Sequence, residues 1–288
     1  MSLVPIIIPY FREQEKLKKA LAAIEAQTHS PCEAFVRDNT NDNILFTAAV
    51  NEGLRKYSFR TDVEFIMVLN QDAYLDRDCI ARLLSFMRET PGCGIACPLQ
   101  VVPVSQTTPR PVVGTAGPPP DRHRVTWGGS RQAFPLGVHE SAELRTYAHP
   151  RETFWANGAC MLIRTDVIKE IGVFDKNMRF ICSDADFSFT ARARGWSIFV
   201  VPQALAEHGL AASSTSTNRM IDTVKAKDIV YFARKWLSGD LYRGLSYEGK
   251  DLTRIGVRKE IEKYQKWVDV LEGRASSMSD YLKLHLPV

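Results

Sequence analysis

The chain has 288 residues, 45% of them hydrophobic, with 37 basic and 33 acidic side chains and a formal net charge of +4. That length supports one large domain or two small ones around a substantial core, and the near balance of charge argues against the concentrated basic face of a nucleic-acid binder. No stretch approaches the roughly 20 apolar residues of a membrane span, and the first strand begins too early to leave room for a signal peptide.

Val4 to Ile8 is a continuous apolar run ending at Pro9-Tyr10, which fits a strand covered on both faces. Leu17, Leu21 and Ile24 follow at helical spacing, and Ser30-Pro31 closes that helix. Ala34 to Val36 reads as a second strand, ending at Arg37-Asp38-Asn39, and Ile44 to Tyr57 as a helix. Glu64 to Leu69 is a third strand, ending at Asn70-Gln71-Asp72. Ile80, Leu83, Leu84 and Met87 mark an amphipathic helix, and Gly94 to Cys97 a fourth strand. Strands alternating with helices at these lengths predict βαβ units and an α/β class, a Rossmann-like, mostly parallel sheet. Ligands of such sheets bind outside the carboxyl ends of the strands. Pro9, Asp38 and Asp72 fall at those ends.

Beyond residue 100 the pattern breaks: Val101 to Pro120 holds six prolines and reads as a long excursion. His123 to Pro150 has no assignable period. Regular pattern returns at Phe154, with an apolar strand Gly158 to Arg164 and a short helical piece ending in Ile171 to Asp175. Then comes an acidic cluster, Ser183 to Asp186, an arginine-studded segment to Gly195-Trp196, the strand Ser197 to Pro202, and His208. Two helical stretches finish the chain, one carrying Ile229, Phe232, Ala233, Trp236 and Leu237, the other Val257, Ile261, Tyr264, Val268 and Leu271.

Six cysteines, at 32, 79, 93, 97, 160 and 182, lie mostly in apolar runs without a C-x-x-C pair. They read as reduced, buried thiols of a cytoplasmic protein.

A carboxylate past the end of a buried strand, as Asp72 is, can hold a hard divalent cation, or can simply cap the next turn. Asp184 and Asp186 suit a helix N-cap and first turn equally well. Glu13 is a favourable first-turn acid, Tyr10 and Trp155 are possible core residues, and a lone histidine such as His208 is more often structural.

The order of these features resembles that of inverting glycosyltransferases of family 2, with a GT-A fold. The resemblance covers residues 3 to 210 and is strongest from Gly158 to His208. It implies a catalytic domain over 1–210, with a nucleotide-binding half at 1–100 and an acceptor-binding half at 101–210. A C-terminal helical extension then spans 211–288. Asn70-Gln71-Asp72 resembles the metal-binding D-x-D motif in its N-x-D form, and His208 matches a metal-ligating histidine. Together they imply Mg²⁺ or Mn²⁺ at Asp72 and His208. Asp38 matches an aspartate that contacts the donor base. Pro9, Tyr10 and Glu13 match the donor loop, and Asn70 belongs to the same donor-binding set. Trp155, Asn157, Gly158 and Asp186 fall on the acceptor side. Asp184 matches the catalytic base of the family's E-D-x-D, and Ser183 stands where an acid is usual. That loss of a charge predicts a lower pKa for Asp184 than in relatives.

The Q-x-x-R-W motif of processive relatives is absent, since Arg234-Lys235-Trp236 lacks its glutamine and spacing. The resemblance therefore implies transfer of one hexose at a time, from a UDP- or dTDP-sugar to a bacterial surface glycan or lipid-linked acceptor. The C-terminal helices, with Lys259, Lys263 and Lys266 beside an apolar stripe, leave dimerisation, a peripheral site at the inner face of the plasma membrane, or plain packing open. The rivals are a nucleotidyltransferase, whose Gly-rich phosphate loop is missing from PYFREQ, a dinucleotide-binding oxidoreductase, whose G-x-G-x-x-G is missing too, and a degenerate glycan- or nucleotide-binding protein.

Overall fold

The computed structural model describes residues 2–102, 125–131, 134–135, 145–209, 218–237, 262 and 265–274. The first half alternates as the apolar runs predict, except that an unpredicted short strand, β4, follows β3 directly: β1 (Val4–Tyr10), α1 (Gln14–Glu25), β2 (Cys32–Asp38), α2 (Leu45–Tyr57), β3 (Phe65–Leu69), β4 (Ala73–Leu75), α3 (Cys79–Glu89) and β5 (Cys93–Val101). The short strands β6 (Val125–Trp127), β7 (Ser130–Arg131), β8 (Phe134–Pro135) and β9 (Arg151–Glu152) follow. The second half holds β10 (Cys160–Arg164), α4 (Thr165–Ile171), α5 (Ser183–Ala193), β11 (Ser197–His208), α6 (Arg219–Phe232) and a π-helical turn, Ala233–Leu237.

The main sheet runs β2-β1-β3-β10-β5-β11-β4. β1 is parallel to β2 and β3, and β11 to β5. β10 enters antiparallel between β3 and β5, and β4 antiparallel at the edge beside β11. The chain returns to β10 through the long segment after β5, not through one helical crossover, so it is free to enter from the opposite end.

Both faces of the sheet are covered, which is why β3 is apolar at every position. Phe65, Met67 and Leu69 pack in the core that includes Ile80, Leu83 and Met87 of α3. Ile66 and Val68 pack in the core that includes Val50 and Leu54 of α2, Val167 of α4 and Phe187 of α5. Burying a side chain of this kind contributes about 1.5–3 kcal/mol.

The excursion expected at Val101 to Pro120 lies, beyond Val102, outside the described residues. So do Val257, Ile261 and Tyr264 of the last helical stretch. Its remainder, Val268 and Leu271, packs with Trp267 on Ala226 and Val230 of α6. All six cysteines are free, and burial pushes the Cys93 thiol up to about 12. Among the described residues no helix is long and apolar enough to cross a membrane.

Candidate active site

The turn Asn70-Gln71-Asp72 links β3 to β4, and β4 pairs with the end of β11, with His208 opposite Ala73. That register delivers Asp72 to His208 across 136 residues of sequence, with Asp72 Oδ1 3.6 Å from His208 Nε2. Burial pushes the Asp72 carboxyl up, but the hydrogen bond and charge of His208, then the charge of Lys16, outweigh it and hold it below the usual range. The side chains are 16% and 19% exposed, so both remain reachable. One carboxylate and one imidazole form a mixed oxygen–nitrogen set that suits Mn²⁺ better than the all-oxygen preference of Mg²⁺. No group of three ligating side chains occurs among the described residues. A cation held here would therefore draw its other ligands from water or a substrate's phosphate oxygens.

Gln71 of the same turn bonds the exit of β1, and β2 ends beside β1. Tyr10 is the register partner of Asp38, and the Asn39 N–H donates to the Tyr10 carbonyl at 2.8 Å. Asp38 Oδ1 accepts from the Thr40 N–H at 2.8 Å, and bonding to Thr40 holds its carboxyl below the usual range. Pro9 lies opposite Arg37, whose guanidinium grips both oxygens of Asp42 (2.7 and 2.8 Å) and reaches Glu52 (3.0 Å). Glu13, expected at a ribose, has its carboxylate engaged by Lys16 (2.6 Å) and the Gln71 amide (2.8 Å).

Gln71 is a residue that the motif reading passed over. Its Oε1 accepts from the Phe11 N–H (2.6 Å) and its Nε2 donates to the Phe11 carbonyl (3.3 Å), so one amide pairs with the loop as a strand would. The middle residue of N-x-D thus ties the β1 exit to the Asp72 turn.

The acid side is reached through β10. Cys160 pairs with Leu69, and the Asn70 N–H donates to the Ala159 carbonyl at 2.8 Å, which sets Gly158 next to the Asp72 turn. The Gly158 N–H donates to Asp184 Oδ2 (2.8 Å) and the Ala185 N–H to Oδ1 (2.8 Å). A Cβ on Gly158 would stand 3.1 Å from Phe46 Cζ and 3.2 Å from Asp184 Cβ, so a side chain there would push against the acid. Burial raises the Asp184 carboxyl above the usual range, against the lowering pull of these N–H groups. Burial thus sets the sign of the shift from the ordinary carboxylate value.

Ser183 is 1% exposed, and its Oγ accepts from Thr47 Oγ1 at 2.9 Å. An ionised acid at that position would be buried against a hydroxyl, so a serine fits. Asn157 Oδ1 accepts from the Ala159 N–H (2.8 Å) and shapes the turn into β10. Trp155 is half-buried, its ring 5.8 Å from that of Trp127.

Asp186, expected on the acceptor side, is 2% exposed and lies elsewhere. Its Oδ1 accepts from Trp236 Nε1 (2.5 Å) and pairs with Lys235 Nζ (2.7 Å), in the Arg234-Lys235-Trp236 run that sequence spacing had set aside. Two positions along a helix are about 200° apart, so Asp184 and Asp186 face opposite sides of α5.

Three non-glycine residues adopt positive φ among the described residues: Arg12 (60°), Leu45 (68°) and Cys182 (66°). Arg12 lies in the donor-side loop, Leu45 starts the helix whose Phe46 touches Gly158, and Cys182 precedes α5. Backbone strain of this kind gathers at functional sites.

Residues 45–226 match a family profile described as glycosyltransferase like family 2. No curated protein sequence matches the chain. Among solved structures, GalNAc-T7 with UDP, GalNAc and Mn²⁺ matches at a TM-score of 0.57 and 13% identity, over all of this chain and 58% of that one. TarS of S. aureus matches at 0.52 and 11%, over all of this chain and 46% of that one. A mannosyltransferase from Pyrobaculum calidifontis in complex with GDP-Man and Mn²⁺ matches at 0.50 and 12%, over 98% of this chain and 78% of that one. At such identities the likeness is one of fold, and the chain spans about half the length of the first two.

Proposed function

The chain belongs to glycosyltransferase-like family 2, and on that premise we propose that it transfers one hexose from a nucleotide-sugar to an acceptor hydroxyl with inversion at the anomeric carbon. The observation that carries this reading is the placement of Asp184. Its carboxylate has a raised pKa and is bonded to Gly158, whose neighbour Ala159 accepts from the Asn70 N–H, two residues before Asp72.

The donor lies across the strand ends, its base beside Tyr10 and Asp38 and its diphosphate beside Asp72 and His208. Those two residues would hold Mn²⁺ or Mg²⁺, which when bound supplies charge neutralisation to the departing diphosphate. Two of the solved relatives contain Mn²⁺ with UDP or with GDP-Man. Asp184 accepts the proton of the acceptor hydroxyl. The oxygen forms its bond to the anomeric carbon from the face opposite the phosphate, the bond to the diphosphate oxygen breaks, and a nucleoside diphosphate leaves. General-base help of this kind contributes about 10²–10⁴-fold. Trp155, Asn157 and Gly158 border the acceptor, a glycan or lipid-linked sugar. A cytoplasmic setting with surface-glycan acceptors belongs to the same reading.

Calorimetric titration with UDP, dTDP and GDP, with and without Mn²⁺, tests it. Binding of one nucleotide that requires the metal supports the proposal and names the donor class. Absence of binding by all three with metal present would replace it with a fold kept for another purpose.

A further inference from the structure

Asp228 of α6 is 1% exposed, and it lies beyond the segment expected to hold the catalytic domain. Its carboxylate accepts three consecutive backbone N–H groups: Arg179 at 3.0 Å, Phe180 at 2.7 Å and Ile181 at 2.9 Å. These residues end the loop between α4 and α5, and only Cys182 and Ser183 separate Ile181 from Asp184. From the other side, the Thr47 N–H of α2 donates to the Arg179 carbonyl at 3.1 Å. The next turn along is held too. Lys235 bridges Asp186 (2.7 Å) and Asp175 (3.1 Å), Trp236 donates to Asp186, and the Phe189 ring lies 5.6 Å from Phe232 and 5.4 Å from Trp236.

We propose that α6 and the π-helical turn are positioning elements of the transfer reaction: Asp228 fixes the backbone leading into α5, and Lys235 with Trp236 fixes α5 itself, so that Asp184 is held where the acceptor hydroxyl meets it. The catalytic unit then extends through Leu237 and does not stop near residue 210. A buried anion satisfied by backbone N–H groups is costly to install and is sensitive to isosteric change. An asparagine at 228 offers one acceptor atom and sets an amide against a remaining N–H. A shift of about 1 Å in a reacting group can cost on the order of 100-fold in rate. This inference rests on Asp184 as the base.

The test compares Asp228→Asn and Trp236→Phe, the second keeping the ring but removing the indole donor. Hydrogen exchange is read at residues 179–184, and turnover is read with whichever of the UDP-, dTDP- or GDP-linked hexoses the wild type consumes with Mn²⁺. Asp228→Asn is expected to lose protection at Arg179, Phe180 and Ile181 while β3 keeps its own. Its kcat should fall about 10- to 100-fold, with donor KM within about twofold. In an Asp184→Asn background neither substitution should lower the residual rate further. Should Asp228→Asn not fold, Trp236→Phe carries the test, with a smaller loss of kcat and the same lack of effect on Asp184→Asn. Unchanged kcat in a folded variant, a loss confined to KM, or a further loss in the Asp184→Asn background overturns the inference. Wild-type turnover by Asp184→Asn alone would instead overturn the base assignment.

Discussion

The donor side and the acid side of this site are built differently. On the donor side, short exits of β1, β2 and β3 lie next to one another in the sheet, and their loops are held by side chains such as Gln71, Asp38 and Asp42. The side chains there are partly exposed, and charge or hydrogen bonding holds Asp72 and Asp38 below the usual carboxylate range. On the acid side, Asp184 is pushed up by burial, and its surroundings are assembled from α2, β10 and α6, far apart in sequence. In the proposed reading the first side holds the donor's anionic phosphates and a cation near water. In the same reading the second holds a half-buried base, and a raised pKa brings it nearer its working range.

The largest effect that would break this contrast is on Asp184. Its change to Asn should lower turnover by about 10²–10⁴-fold and leave calorimetric donor affinity unchanged. A matching loss of affinity would merge the two sides into one. Asp72→Ala should do the converse, weakening Mn²⁺ and donor together by at least ~100-fold, beyond the 10–100-fold typical for removing an outer partner of a metal site. Titration of the variant with nucleotide and metal reads it. Gly158→Ala places a methyl against Asp184 and Phe46 and should lower kcat about tenfold with donor KM preserved, as steady-state kinetics would show. Gln71→Ala removes bonds that are worth about 1 kcal/mol each. It should raise donor KM roughly 5- to 10-fold with little change in kcat, the mirror image of Gly158→Ala.

The smallest effect is on stability. Asp184 has a folded pKa above its unfolded value, so its contribution is complete below the unfolded value, about 3.9, and is lost as pH rises through the folded one. The Tm of the wild type relative to Asp184→Asn should therefore fall as pH rises above about 4. A flat difference would mean that the carboxyl is not buried as described.

The strands and strand exits of the proposed donor side are legible in the sequence because their elements are local. Val4 to Ile8 and Glu64 to Leu69 are apolar throughout since both sheet faces are covered, and the polar residues that follow them sit at strand ends by necessity. The resemblance names Asp72 and His208 together, but the antiparallel pairing of β4 with β11 that brings them to 3.6 Å has no signal in the sequence. The antiparallel entry of β10 left no trace in its apolar run, which reads the same in either direction. Least legible was the packing around α5. Ser183 looked like a missing acid until Thr47 supplied its partner, and Asp186 looked like a site residue until Trp236 took its oxygen. Asp228 has no spacing signal, because its partners are backbone groups that any sequence presents, and the same holds for the Gln71 bonds to Phe11.

The most direct test of the central claim is turnover of Asp184→Asn, measured with Mn²⁺ and the sugar nucleotide that binds the wild type. A loss of about 100-fold or more is the predicted result. A rate within about twofold of wild type, well short of a general base's contribution, would contradict the account.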